Sequence, residues 1–140
     1  MTANFKILAQ FVKDMSSETP DVQTYLFVKE RILKYQLQID INSKPVKKKI
    51  IEVNTILRFE DNKDIKKRSV FEIIYTSIVK IDDEVENKKD MEKIILCDVQ
   101  NLIYPNLEKT FINLLHNSGF PEVKFEKKID FNKLFIEKSN

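Results

Sequence analysis

The chain predicts an α+β fold: a four-stranded antiparallel sheet with helices packed on one face. Three observations carry this. Four strand-like segments follow one another up to Ile81, and helical periodicity is concentrated after Asp90. The connections between the later strands are too short for crossover helices, which favours antiparallel pairing. The best-specified helix, within Tyr104 to Pro121, gathers Leu107, Phe111, Leu114, Leu115 and Ser118 into one stripe that needs a sheet or another helix to cover it.

In chain order, Asn4 to Ser16 alternates, with Phe5, Ile7, Ala9, Phe11 and Met15 on one face and Lys6, Gln10 and Asp14 on the other. Ser16 to Asp21 reads as a loop. Val22 to Tyr35 fits neither period and reads as an irregular connection carrying semi-exposed aromatics; a short helix at Val28 to Lys34 is the alternative. Gln36 to Asn42 alternates around Leu37, Ile39 and Ile41, and Ser43-Lys44-Pro45 reads as a turn. Lys47 to Glu60 is a long strand with Ile51, Val53, Thr55, Leu57 and Phe59 on one face. Asp61 to Arg68 is a charged loop. Ser69 to Ile81 is apolar on both faces, so it has to be covered twice, once by a helix and once by another subunit.

Asp82 to Asp90 is a charged linker. Met91 to Ile103 is helical, with Asp90 as its N-cap. The next helix takes Pro105 as a first position and Gly119, the chain's one glycine, as its stop, with Pro121 blocking continuation. Glu122 to Ile129 is extended. Asp130 caps a last short helix bearing Phe131, Leu134 and Phe135.

The 140 residues fit one domain, and 42% apolar with 33% charged residues describes a globular chain. No apolar run approaches the ~20 residues of a membrane span. The lone Cys97 makes no internal disulfide, and with no signal-peptide layout this favours the cytoplasm. A net charge of +2 is too mild to argue for nucleic acid, and the strand faces lack a basic–aromatic alternation. One glycine excludes the glycine-rich phosphate loops. One histidine and one cysteine offer no metal cluster, no base–nucleophile pair and no catalytic site; His116 reads as structural and Cys97 as a small buried residue. No cofactor is expected. The surplus is hydrophobic, which points to a binding protein.

Three segments resemble the SecB protein-export chaperones. Lys13-Asp14-Met15-Ser16-Ser17-Glu18-Thr19-Pro20 resembles the family's Lys-Asp-x-Ser-x-Glu-x-Pro signature. Tyr104-Pro105, followed by the helix and closed by Gly119-Phe120-Pro121, is similar to its aromatic-Pro … Gly-x-Phe-Pro stretch. Ile129-Asp130-Phe131-Asn132-Lys133-Leu134-Phe135 resembles its Val-Asn-Phe-Asp-x-Leu-Phe ending.

The resemblance implies an ATP-independent cytoplasmic holdase, a dimer of dimers that keeps preproteins unfolded and passes them to the SecA motor. It implies motor contacts at Asp14, Glu18, Val70 and Glu72. It implies a client groove of Tyr25, Leu26, Phe27, Leu37, Ile39, Phe131, Leu134 and Phe135. It also places Thr110, Asn113 and Asn117 at a contact between subunits. The chain departs from the acidic character of the family, and Thr76 and Ser77 stand where glycines are usual. A SecB-like chaperone dedicated to another client, such as an antitoxin, is the alternative.

Overall fold

The computed structural model describes residues 4–61 and 67–139; the middle of the expected Asp61 to Arg68 loop lies outside the described residues. Four strands, β1 (Phe5–Glu18), β2 (Gln36–Lys47), β3 (Ile50–Glu60) and β4 (Val70–Ile81), form one antiparallel sheet in the order β1-β4-β3-β2. The helices α1 (Val22–Arg31), α2 (Lys88–Lys93), α3 (Val99–Asn117) and α4 (Phe131–Ser139) cover one face. Residues directly opposite one another share a face. The covered side therefore carries Phe71, Ile73, Tyr75, Val79 and Ile81 of β4 beside Ile51, Val53, Thr55, Leu57 and Phe59 of β3. Of these only Ile51 is not fully buried. Val70, Ile74 and Ile78 point to the other side and are half-buried, so the two-faced character of β4 is real.

β1 is longer than its pattern suggests and crosses the expected loop as far as Glu18. Two register shifts interrupt it, one between Ile7 and Ala9, the other between Val12 and Asp14. A residue inserted into one strand turns every later side chain to the opposite face. Ala9 and Phe11 therefore lie opposite Ile78 and Thr76 on the outer side, while Val12 and Met15 lie opposite Tyr75 and Ile73 on the helix side. The alternation expected for Ala9 and Phe11 is overturned for this reason.

Val22 to Lys34 is helical, not irregular, and only Tyr35 is extended: α1 continues into a single 3₁₀ turn at Ile32–Lys34. The Asp21 carboxylate caps it, accepting from the Thr24 backbone N–H at 2.7 Å. Thr24, Val28, Ile32 and Tyr35 form the buried stripe. Its period is masked in the sequence because Val22, Leu26 and Leu33 add an exposed apolar stripe beside it.

Ser43-Lys44-Pro45 is not a turn. β2 runs through it, and the chain reverses at Lys48-Lys49, with Lys49 at φ 64°. Pro45 is tolerated because β2 is an edge strand, where a missing donor interrupts no central ladder.

Two expected helices are one run. α2 passes through a π-helical segment, Ile94–Asp98, into α3. Asn87, not Asp90, is the N-cap, its side chain accepting from the Lys89 N–H. Pro105 lies inside α3 rather than at its start. The carbonyl it deprives of a donor belongs to Asn101, which like Pro105 is exposed and can be solvated. The helix ends as expected. Phe120 N–H donates to Leu115 O and Gly119 N–H to His116 O, the paired bonds of a Schellman motif, with Gly119 at φ 101°.

The extended 122–129 connection drops Phe125 between Phe59 and Phe111, at ring distances of 5.5 and 6.2 Å. Asp130 caps α4 by accepting from Lys133 N–H. Inside, Thr55 Oγ1 donates to Gln100 Oε1 at 2.9 Å, and Gln100 Nε2 donates to Ile95 O, tying β3 to the π-helical segment. Cys97 is buried, and that burial pushes its thiol pKa up. His116 Nε2 bonds Val123 O at 2.9 Å, a structural role.

Candidate functional site

The sheet's uncovered face is read row by row from its register. Asp14 sits opposite Ile74, Ser16 opposite Glu72, and Glu18 opposite Val70. The four residues expected to meet the motor, Asp14, Glu18, Val70 and Glu72, therefore share one face over three successive rows. Asp14 and Glu18 are exposed; Glu72 and Val70 are half-buried.

The same rows continue onto β3 and β2. Ile56 and Asp40 extend the Asp14 row, Arg58 and Gln38 the Glu72 row. Arg58 donates through Nη2 and Nε to Glu72 Oε2, at 2.6 and 2.9 Å. Sequence pattern alone does not single out this partner. The signal was present, because a strand with Leu57 and Phe59 facing inward must turn Arg58 outward, but its register against Glu72 follows from the hairpins.

In the middle of the face Thr76 Oγ1 donates to Asn54 Oδ1, and Asn54 Nδ2 donates to Asn42 Oδ1 and Glu52 Oε2. The Asn54 bond, with Lys13 beside it, holds the Glu52 carboxyl below its ordinary pKa. At the far end Lys6 and Lys80 stand directly opposite, so the face is acidic at one end and basic at the other.

The expected client positions fall into two groups at the two ends of α3. At the Gly119 end, the Tyr25 hydroxyl donates to Gly119 O at 2.7 Å and its ring lies 5.2 Å from Phe120. Lys29 reinforces this contact by bonding Gly119 O and Glu122. Leu26 is 59% exposed, and Phe27 stands beneath the Arg31 guanidinium. At the Tyr104 end, Phe131 and Phe135 are buried, with the Phe131 ring 5.3 Å from Tyr104 and at the wall of an open cavity. Leu134 is half-buried. Positions 104 and 119 are roughly 22 Å apart along the helix. Leu37 and Ile39 of β2 are partly buried against the same core.

Beside Phe131 a cavity of about 370 Å³ opens, lined by Asn101, Tyr104, Pro105, Glu108, Lys128 and Ile129. Burial pushes the Tyr104 hydroxyl far above its ordinary pKa, with the Glu108 charge adding to it. The hydroxyl therefore stays protonated.

Thr110, Asn113 and Asn117 share the polar side of α3 with Asn106. This side turns toward β1: Asn106 Nδ2 donates to the Tyr75 hydroxyl, which donates to Gln10 Oε1, and Ser17 bonds Ser118. Val12 and Met15, both on the helix side of β1, remain exposed there.

The profile of the family described as "Preprotein translocase subunit SecB" matches residues 1–140. The chain belongs to the SecB family. It is 64% identical, over the full length of both chains, to a protein of Pelagibacter ubique described as "Putative protein-export protein SecB". It is 24% identical to the protein-export protein SecB of Mesorhizobium japonicum, covering 96% of this chain and 79% of that one. The SecB-like chaperone of Mycobacterium tuberculosis, solved with a peptide from an antitoxin, shares the fold with a TM-score of 0.61 at 8% identity, over 89% of this chain and 91% of that one. SecB membership places the chain among non-catalytic chaperones of the protein-export pathway. No metal-binding cluster and no helix long and apolar enough to cross a membrane occur among the described residues.

Proposed function

We propose that this chain is an ATP-independent holdase that binds unfolded preproteins and delivers them to the SecA motor as a homotetramer. The carrying observation is the placement of Asp14, Glu18, Val70 and Glu72 on one uncovered sheet face, away from the apolar client positions on the helix side. A partner can then be engaged without displacing the client. The client surface is built from Tyr25, Leu26, Phe27, Leu37, Ile39, Phe131, Leu134 and Phe135. Its exposed members on α1 offer non-directional apolar burial, which suits many unfolded sequences.

The exposed Val12 and Met15 beside Thr110, Asn113 and Asn117 suit a contact between subunits along β1 and α3. A second reading, a chaperone dedicated to one client, is motivated by the antitoxin peptide held by the structural neighbour. Light-scattering mass combined with aggregation of an unfolded secretory precursor tests the proposal. A tetrameric mass and suppression without nucleotide are expected. A monomer that leaves aggregation unchanged overturns it, and suppression restricted to one client favours the second reading.

A further inference from the structure

We propose that Arg58 is an internal competitor at the docking face: its guanidinium occupies a receptacle that otherwise takes an arginine or lysine side chain of the basic partner. The proposal rests on reading this face as the motor-docking surface. Three successive rows carry Asp14, Ile74, Ile56 and Asp40, then Ser16, Glu72, Arg58 and Gln38, then Glu18 and Val70, with Glu60 paired to Gln36 at the same level of the neighbouring hairpin. Five carboxylates, Asp14, Glu18, Asp40, Glu60 and Glu72, thus lie in or beside these rows, and Arg58 pairs with one of them, Glu72. A cleft of about 340 Å³ opens here, lined by Gln38, Ile39, Asp40, Ile56, Arg58 and Glu72. The cleft is open to solvent, so a side chain from outside can reach it. Ile56 gives the methylene stem of such a side chain an apolar wall.

The internal pair is well shaped but weakly held. Arg58 places two donors on one Glu72 oxygen, yet its side chain is 48% exposed. An ion pair this solvated contributes little to folding and is displaceable. Arg58 therefore lowers the attraction of the face for weakly basic segments, while a partner offering several cations to Asp14, Glu18 and Glu72 displaces it.

The test titrates the SecA motor into the full-length chain at low salt. Arg58→Gln is expected to tighten binding about three- to fivefold. Arg58→Lys should stay near the parent, and Glu72→Gln should weaken binding. In the Glu72→Gln background Arg58→Gln should give no gain. Lys80→Gln removes the same charge from the far end of the face and should give a smaller gain than Arg58→Gln. A purely structural role for Arg58 would not raise affinity at all. Unchanged or weaker binding by a folded Arg58→Gln variant, or a gain matched by Lys80→Gln, overturns the competitor role while leaving docking intact. No binding by the parent or any variant overturns the docking reading and this proposal together.

Discussion

Substituting Gly119 by alanine tests the joint that holds α1 on the end of α3. A Cβ at Gly119 would lie 2.6 Å from Tyr25 Cε1, where ordinary contact begins at 3.4 Å. The ring must retreat by about 0.8 Å, the difference of those two distances. It cannot do so and keep its hydroxyl bond to Gly119 O and its packing on Phe120. The backbone adds a second cost, because φ 101° disfavours any side chain, at about 1–2 kcal/mol. The lost hydrogen bond adds about 1 kcal/mol and the displaced ring pair about 0.5–1.5 kcal/mol. The sum is about 3–4 kcal/mol, a fall in Tm of roughly 10 °C or more for a chain of this size.

Denaturant unfolding at fixed protein concentration measures it, because any self-association would make apparent stability concentration-dependent. In a Tyr25→Ala background the same substitution should cost only the backbone part, about 1–2 kcal/mol, leaving a coupling of at least about 1 kcal/mol. A loss below about 1 kcal/mol, or no coupling between the two positions, would refute the argument.

Two further outcomes follow from the same geometry. Thr55→Val leaves the buried Gln100 Oε1 without its donor and should destabilise by about 1–3 kcal/mol, read by thermal unfolding; a neutral result would mean Gln100 finds another partner. The Asp21 carboxyl is held below its ordinary value of 3.8, first by its bond from Thr24. A depressed carboxyl contributes stability above its unfolded pKa and loses it as pH falls through the folded one. Asp21→Asn keeps a cap and should flatten the loss of stability below pH about 4 without changing the neutral-pH Tm appreciably, while Asp21→Ala lowers Tm at neutral pH; an unchanged acid limb in Asp21→Asn would count against this.

The sheet, its helix-covered side and the helix stop at Gly119 were legible because each rests on local signals: alternation in β3 and β4, and a lone glycine after the last periodic residue. The misses have physical causes too. The bulges in β1 leave no mark in composition, yet they turn Ala9 and Phe11 outward. Pro45 and Pro105 read as breaks, but an edge strand and a solvated helix face both accommodate proline. α1 is hidden by Val22 and Leu26, apolar residues on its exposed side that blur the period of its buried stripe. For the candidate site, the placement of Asp14, Glu18, Val70 and Glu72 on one face needed the register that the bulges set. The partnership of Arg58 with Glu72 needed the whole sheet.

The central claim is that docking and client holding occupy opposite sides of the sheet. Charge reversal at Asp14 and Glu18, both exposed on the uncovered face, addresses it most directly. Pull-down by the C-terminal tail of the SecA motor and retention of an unfolded precursor are measured on the same Asp14→Lys, Glu18→Lys protein. The account predicts that motor capture is lost and client retention is unchanged. Undiminished motor capture, or loss of both together in a folded protein of unchanged mass, would contradict it.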